Sequence, residues 1–485
     1  MSAVAVETSA RRLTERSAVE LARAIRAGEV SSREVVDAHI ARLEQVNPRI
    51  NAIVAERYGA AREDADAADA RIAAAAPGEE LPPLLGVPCT LKESWSMAGM
   101  PQTAGLVARR DTPCERNATV VQRLLDAGAI PLGLTNTSEL TLWVETENRL
   151  YGRTHNPYDE RRTAGGSSGG EGAAIGAGGS PIGLGTDFGG SIRLPAFFNG
   201  IFGHKPSRGL VPMTGHYPMA DGPSADFAFG GPLARRGEDL MPLMRVIAGP
   251  DGEDAHVEDA TLGDPAEVSL DGLRVVVSES GTLGPTGPEL AQARERAAGA
   301  LAAAGARLER VSTKSMRRAF EMYLGTLATT GMTVTQLLED AGADPPRGRA
   351  LLSRGGPHTV AIRITLTVER VGLKLPERRW QKLAAARDAF ARELADTIGD
   401  GVLLHPPAPK VAPKHGGTVG RVWWIHPMLV FNLTGLPVTQ VPLGLNEDGI
   451  PLGVQVAAGM GRDHVAIAAA LELERVFGGW TPPPL

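Results

Sequence analysis

The chain has 485 residues, of which 43% are hydrophobic and 22% charged, a composition typical of globular proteins that can bury a large core. A formal net charge of −6 with no block of like charge argues against a nucleic-acid-binding surface. Its two cysteines are too few for a disulfide framework, so we expect a reducing, cytoplasmic environment. No apolar run approaches about 18 residues, and no membrane span is expected.

Helices are predicted for the beginning of the chain. Two capping boxes predict where the first two begin: Ser17 with Glu20, and Ser31 with Glu34. The second of these helices is expected over residues 34–44, ending before Pro48. Residues 58–76, rich in Ala, Asp and Arg, predict a third, solvated helix.

Strands then begin to alternate with helices. An apolar segment over residues 84–92 predicts a strand that ends at Lys92. Residues 118–128 are typical of a helix, and residues 129–134 of a buried strand. This alternation favours an α/β architecture.

A long glycine-rich region covers residues 163–203. Apolar residues are interleaved with the glycines: Ile175, Ile182, Leu184, Ile192 and Leu194. Flexible linkers rarely carry so much apolar content, so we expect this region to be folded.

The second half of the chain contains further predicted elements. They are a strand at 273–278, a helix at 289–304, mostly helical structure over 315–400, a turn at 431–437, and two strands joined by a hairpin turn at 446–449.

Several familiar site types match this sequence poorly. The segment Gly165–Gly169 fits the G-x-S-x-G nucleophile elbow, but a polar stretch, 155–162, stands where that elbow needs a buried strand. A phosphate-binding loop would need the missing Gly-Lys-Ser/Thr ending, and zinc-binding spacings of His and Cys are also missing.

Two glycine–serine turns are more informative. Ser167 and Ser191 each follow two glycines. In Gly189-Gly190-Ser191 consecutive backbone N–H groups have little steric cover, which is what a developing oxyanion requires. A serine at the end of such a turn is a candidate nucleophile.

These turns belong to a wider pattern that resembles the amidase signature family. The matching segments span nearly the whole chain: 86–93, 135–136, 156–157, 165–170, 185–195, 203–206 and 432–437. Residues 195–206 look most similar to the fatty acid amide hydrolase branch. The resemblance implies one domain over 1–485, an α/β/α sandwich around a large mixed sheet, with residues of about 310–400 as a helical insertion or lid.

The resemblance also implies roles for individual residues. Ser191 would be the nucleophile, Ser167 a proton shuttle on a cis peptide bond, and Lys92 the final base. The implied oxyanion hole consists of the N–H groups of Phe188, Gly189, Gly190 and Ser191. The implied supporting residues are Ser168, Thr186, Asp187 and Arg193, and the implied pocket residues are Thr141, Leu142 and Trp143. Glu93 departs from the family, where aspartate is commoner after the lysine, and this puts the surroundings of Lys92 in question.

Elementary chemistry supports a lysine base. Lysine has a reference pKa of about 10.4, so it accepts a proton at neutral pH only if burial lowers its pKa. Arginine could not take this role. Arginine supplies most of the positive charge of this chain, which makes a lysine at position 92 notable.

Structural roles remain open beside the catalytic ones. Lys92 could form a surface salt bridge, and the serines could serve turn chemistry. Asp187 and Arg193 could be a structural pair that braces the turn, rather than a catalytic acid and a substrate clamp. Trp143 could pack in the core, and the helical segment could be an ordinary outer layer.

The predicted function is a serine amidohydrolase that cleaves carboxylic amides, with anilides, carbamates or esters as further substrates. Its partners would be small amide or ester molecules, without a metal or cofactor, in a possible homodimer. The amidase subunit of a tRNA-dependent amidotransferase is the alternative. A non-catalytic scaffold is a third hypothesis, against which the intact Lys92, Ser167 and Ser191 argue.

Overall fold

A computed structural model describes residues 13–220, 222–279, 282–351, 355–372 and 376–485. Its strands, in chain order, are β1 (Ile53–Glu56), β2 (Pro88–Lys92), β3 (Ile130–Thr135), β4 (Glu147–Asn148), β5 (Gly152–Arg153), β6 (His155–Asn156), β7 (Asp159–Thr163), β8 (Ile182–Asp187), β9 (Phe202–Lys205), β10 (Phe229–Ala234), β11 (Arg274–Ser278), β12 (Arg307–Val311), β13 (Val402–His405), β14 (Val438–Leu445) and β15 (Pro451–Ala458).

Within these described ranges, eleven strands form one mixed sheet in the order β1-β3-β2-β8-β10-β9-β14-β15-β13-β11-β12. Strands β3, β2 and β8 run parallel, as do β13, β11 and β12, and the remaining pairs are antiparallel. The short strands β4 with β5 and β6 with β7 form two separate hairpins.

Helices cover both faces of this sheet. They are α1 (Ala18–Arg26), α2 (Ser32–Ile50), α3 (Tyr58–Ala73), α4 (Thr119–Asp126), α5 (Gly169–Gly176), α6 (Arg193–Phe198), α7 (Leu240–Ile247), α8 (Pro288–Ala303), α9 (Ala319–Thr329), α10 (Val334–Asp340), α11 (Val360–Gly372), α12 (Glu377–Ile398), α13 (His426–Thr434) and α14 (Asp463–Phe477).

Alternate residues of the strands enter different cores, as the two-residue period of a strand requires. In β11, Val275 and Val277 pack with α8 and α14, whereas Val276 packs with α9, α12 and α13. Helices α2, α3 and α5 form a third core with the first residues of β3. The expected α/β/α sandwich around a large mixed sheet is confirmed.

Three local predictions were wrong. The strand expected over residues 84–92 begins only at Pro88, because residues 83–86 form a turn in which Gly86 has φ of 83°. Helix α2 does not stop before Pro48 but continues to Ile50, because a proline near the end of a helix removes a single hydrogen bond and Asn51 then ends the helix in the left-handed conformation. Residues 431–434, expected in a turn, are the last turn of α13, which ends at Gly435 with φ of 79°. The hairpin turn at 446–449 lies as expected between β14 and β15.

The helices α9 to α12 lie between β12 and β13 in the chain, where mostly helical structure was expected. Both flanking strands pair with β11, so this helical segment leaves and re-enters the sheet on either side of one strand. Among the described residues, no helix has the length and apolar character needed to cross a membrane.

Candidate active site

The site lies where three parallel strands end. Lys92 is the last residue of β2, Thr135 the last of β3, and Asp187 the last of β8. Parallel strands place their carboxyl ends at one edge of a sheet, where ligands bind in α/β folds. The glycine-rich turn before α5 and the turn between β8 and α6 meet at this edge, since the N–H of Ser168 donates to the carbonyl of Ser191 at 3.3 Å.

Lys92 contacts one of the two predicted catalytic serines. Its Nζ donates to Ser167 Oγ at 2.6 Å and to Thr186 Oγ1 at 2.7 Å. The lysine is fully buried, and Ser167 is 1% exposed. The Gly166–Ser167 peptide bond is cis. A surface role for Lys92 is therefore ruled out.

The surroundings of Lys92 favour its uncharged form. Burial lowers the pKa of its ammonium group to about 7, and this effect outweighs the opposing influence of the Asp187, Glu171 and Glu93 carboxyl groups. Near neutral pH a large fraction of Lys92 is therefore uncharged, within hydrogen-bond distance of Ser167.

Two buried carboxyl groups lie close to the lysine. Burial raises the pKa of Glu171 to about 8, although the hydroxyls of Thr90 and Thr135 donate to it at 2.7 and 2.9 Å. Burial likewise raises the pKa of Glu93 to about 7. Both groups are substantially protonated near neutral pH, so neither holds Lys92 in its charged form as a full carboxylate would.

Glu93, where the family more often has aspartate, has a structural part. Its carboxyl group accepts hydrogen bonds from the N–H groups of Thr103 and Ala104 at 2.5 and 2.8 Å, and from the Thr103 hydroxyl at 2.6 Å. The Glu93 side chain, longer than that of aspartate, thus links the end of β2 to residues 103–104.

The turn that carries Ser191 is held from below by a buried ion pair. The Asp187 carboxylate accepts from the N–H groups of Gly190 and Ile192 at 2.7 and 3.1 Å, and from Arg193 Nε at 3.0 Å. Burial alone would raise the pKa of Asp187, but the charge of Arg193 and the hydrogen bonds hold it well below its usual range. Asp187 and Arg193 thus form the bracing pair.

More distant segments complete this support. Asn432 donates to Asp187 Oδ1 at 2.8 Å and accepts from Arg193 Nη2 at 2.6 Å, while Gln455 accepts from Arg193 Nη1 at 2.8 Å. Gly190 itself has φ of 113°, and a side chain there would lie 2.5 Å from Met428 Cβ. Only glycine suits this position.

The predicted oxyanion donors differ in their availability. The N–H of Gly190 is engaged by Asp187. The N–H groups of Phe188, Gly189 and Ser191 make no hydrogen bond to any residue that the structure describes. The Ser191 hydroxyl, on a residue 7% exposed, likewise has no hydrogen bond within the described ranges.

The turn of Ser167 is packed just as tightly. The carbonyl of Ser167 accepts from the N–H of Ser138 at 3.3 Å and from the Thr146 hydroxyl at 3.2 Å. A side chain on Gly166 would lie 2.6 Å from the Trp143 carbonyl oxygen. Ser168 exchanges two hydrogen bonds of 3.3 Å with the backbone of Thr186, which fixes the serine turn to the end of β8.

A small cavity opens at this edge. Ser167, Thr186 and Phe188 line it, together with the predicted pocket residues Thr141 and Leu142. Trp143 is not among the described residues that line this cavity, and its indole N–H donates to Thr418 Oγ1 at 3.2 Å.

A larger groove continues from the cavity, since Leu142, Phe188, Met332 and Leu337 line both. Its other walls come from α9, α10, α11 and α12, and most of their lining residues are apolar: Leu324, Leu327, Ala328, Val334, Val368 and Trp380. A few polar residues, among them Thr365, Glu369 and Gln381, also line it. The helical segment therefore builds a groove that opens into the cavity at Ser167.

Sequence reasoning missed three supporting groups. Glu171 stood out only as a carboxylate in a run of glycine and alanine, a signal for a paired buried charge. Asn432 and Gln455 lie more than 200 residues from Arg193 in the chain. Asn432 belongs to the matching segment 432–437, which did not show its contact with Arg193, and Gln455 had no local signal.

Comparisons with known proteins point to one family. The family model described as Amidase matches residues 34–466. Human fatty-acid amide hydrolase 2 is 40% identical over 96% of this chain and 90% of its own length. The acylamidase of Rhodococcus erythropolis is 32% identical over 95% of this chain and 95% of its own length. A bacterial aryl acylamidase structure of the amidase signature family superimposes with a TM-score of 0.82, at 26% identity and 96% coverage of each chain.

The chain belongs to the amidase signature family. It is an amidohydrolase, an enzyme that acts on amide bonds, and the fatty-acid amide hydrolase 2 proteins are among its similar relatives.

Proposed function

We propose that this enzyme hydrolyses amides of apolar carboxylic acids through an acyl-enzyme on Ser191, with Ser167 and Lys92 carrying the protons. The observation that carries the proposal is the buried hydrogen bond of 2.6 Å between Lys92 Nζ and Ser167 Oγ, at the edge of a cavity that continues into an apolar groove.

In the first step Ser191 Oγ attacks the carbonyl carbon of the substrate. Its proton passes to Ser167 Oγ as the Ser167 proton passes to neutral Lys92 Nζ, giving a tetrahedral oxyanion and an ammonium group. The free N–H groups of Phe188, Gly189 and Ser191 are the donors available to the oxyanion.

Breakdown of the tetrahedral intermediate reverses the proton path. Lys92 returns a proton through Ser167 to the leaving nitrogen, the C–N bond breaks, and an amine departs from the ester of Ser191. Water then attacks this ester by the same proton path and releases the acid. The leaving nitrogen must be protonated, because an amine anion is a very poor leaving group.

The apolar acyl part is proposed from the groove. Leucines, a valine and a tryptophan from the helical segment line it, and apolar surface there would favour a hydrocarbon chain. The 40% sequence identity to human fatty-acid amide hydrolase 2 supports the same substrate class. In this proposal the helical segment covers the bound chain as a lid.

The amidotransferase alternative makes a different demand on this groove. A glutamine side chain is short and polar, and it would leave most of the long, mainly apolar groove unfilled. Ammonia transfer from glutamine that requires a second protein, together with no hydrolysis of apolar amides, would support the alternative.

The direct test is covalent labelling of Ser191. A fluorophosphonate should label the wild-type enzyme at Ser191, and Ser191→Ala should lose both labelling and turnover of amides and esters. Residual turnover above about a tenth of wild type would contradict a nucleophilic Ser191. Thr439→Ser, which keeps the hydroxyl beside His204 and removes a buried methyl group that does not line the cavity, is the control for folding.

A further inference from the structure

We infer that Tyr323, from the helical segment, is a positioning residue for the oxyanion turn. Its hydroxyl holds the Phe188 carbonyl, and through the shared peptide unit it aims the N–H of Gly189 at the reacting carbonyl oxygen. This inference rests on the proposed function and adds to it a link between the groove wall and the catalytic turn.

The contact itself is short and buried. Tyr323 OH donates to the Phe188 carbonyl oxygen at 2.6 Å, and Tyr323 is 5% exposed. Its ring makes edge-to-face contacts with the rings of Phe188 and Phe227, with centroids 6.2 and 5.3 Å apart. The ring is thus fixed by packing, and the hydroxyl has little freedom to leave the carbonyl.

Peptide geometry carries the effect to the next residue. The Phe188–Gly189 bond is not among the cis bonds of the chain, and in a planar trans peptide the C=O and N–H groups point in opposite directions. Tyr323 fixes the carbonyl on one side, so the N–H of Gly189 is fixed on the other. That N–H is one of the three that have no acceptor among the described residues.

No other hydrogen bond from a described residue holds this peptide unit. Asp187 secures the following part of the turn, through the N–H groups of Gly190 and Ile192. Next to two glycines the backbone rotates readily, and an unanchored peptide would lose the alignment that oxyanion stabilisation requires.

Tyr323 also remains a donor over the working pH range. Burial and the negative charge of Asp187 raise the pKa of its hydroxyl well above the usual value. The position of Tyr323 on α9 has a further consequence, because Leu324 and Leu327 of the same helix line the apolar groove. One helix therefore contacts both the proposed acyl channel and the oxyanion turn.

The test compares Tyr323→Phe with Tyr158→Phe. Tyr158 is a matched control, since its buried hydroxyl also donates to a backbone carbonyl, that of Thr481 at 2.5 Å, outside the cavity and the groove. For both variants, kcat and KM are measured with an apolar amide. The affinity for a trifluoromethyl ketone of the same acyl chain is measured as well, because Ser191 adds to its carbonyl carbon and leaves a hemiketal oxyanion.

We expect Tyr323→Phe to lower kcat about tenfold, below the about 10²–10³-fold loss of a whole oxyanion donor because the Gly189 N–H is misaligned and not removed. KM should stay within about twofold, and the ketone affinity should fall in parallel with kcat/KM. Tyr158→Phe should leave all three within about twofold.

Three results would overturn the inference: an unchanged kcat, a loss confined to KM, or a fall in kcat with an unchanged ketone affinity. An equal loss in Tyr158→Phe would do so too. If the wild-type enzyme neither cleaves the amide nor binds the ketone, the proposed function fails instead, and the two failures are distinguishable.

Discussion

Arg193 donates to the carboxylate of Asp187 from both Nε and Nη2, each at 3.0 Å, and neither side chain is exposed to solvent. This pair lies under the turn that presents Ser191. This turn contains Gly189, Gly190 and Ser191, three successive residues whose side chains are absent or small. Its shape therefore depends on the buried Asp187–Arg193 ion pair.

Arg193→Ala should therefore destabilise the whole protein. It leaves the Asp187 carboxylate buried and unpaired, and we expect a loss of about 3–5 kcal/mol in the free energy of unfolding, measured in urea. Arg116→Ala, which breaks an exposed pair with Glu253, is the control and should be neutral. A loss below about 1 kcal/mol for Arg193→Ala would show that the turn does not depend on this pair.

The pH dependence of activity should report the protonation of Lys92. The lysine must be neutral to accept a proton, and its pKa lies at about 7 instead of 10.5. Below pH 7 the charged form predominates and activity should fall; above it activity should rise to a plateau. We expect kcat/KM for an amide to titrate with an apparent pKa near 7, shared with the nearby Glu93 and Glu171 groups. A profile that is flat from pH 6 to 9 would contradict a lysine base.

Loss of Lys92 should affect amides more than esters. An ester leaving group departs with little protonation, whereas the leaving nitrogen of an amide needs a proton from the lysine through Ser167. Lys92→Ala should thus lower kcat for an amide at least tenfold more than kcat for the ester of the same acid. Equal losses would argue that Lys92 serves only as a base in the attack.

The groove predicts a dependence on acyl chain length. A buried methylene contributes about 0.8 kcal/mol, or about fourfold in kcat/KM. Leu327→Asp should remove much of this gain for long acyl chains while leaving a two-carbon acyl amide nearly unaffected, because Leu327 lines the groove and not the cavity at Ser167. Leu308→Asp, at an apolar side chain 40% exposed on β12, is the matched control. Equal losses for long and short chains would place the acyl chain elsewhere.

Much of this fold could be predicted from local patterns. Capping boxes, alternating strands and helices, and the hairpin turn at 446–449 depend on residues close together in the chain. The continuation of α2 through Pro48 could not be predicted in this way. Helix propensity alone does not show that a proline in the last turn costs the helix only one hydrogen bond. The role of Glu93 was similarly hidden, since its partners lie in a loop without periodicity.

The site divides in the same way. The glycine–serine turns have a local signal, and the lysine at the end of β2 stands out where arginine is the usual cation. Tyr323 has none, because its contact with Phe188 joins segments 135 residues apart in the chain. Such contacts depend on how α9 packs over the sheet, which no short pattern in the sequence specifies.

The attachment of the helical segment has an evolutionary consequence. Because β12 and β13 both flank β11, the residues between them can change in length and composition while the sheet keeps its pairing. In the proposed function, substrate range could then diversify by exchange of this helical segment while Lys92 and the serines stay unchanged. If Tyr323 positions the oxyanion turn, a segment transplanted from a relative would also need its own anchor for the Phe188 carbonyl.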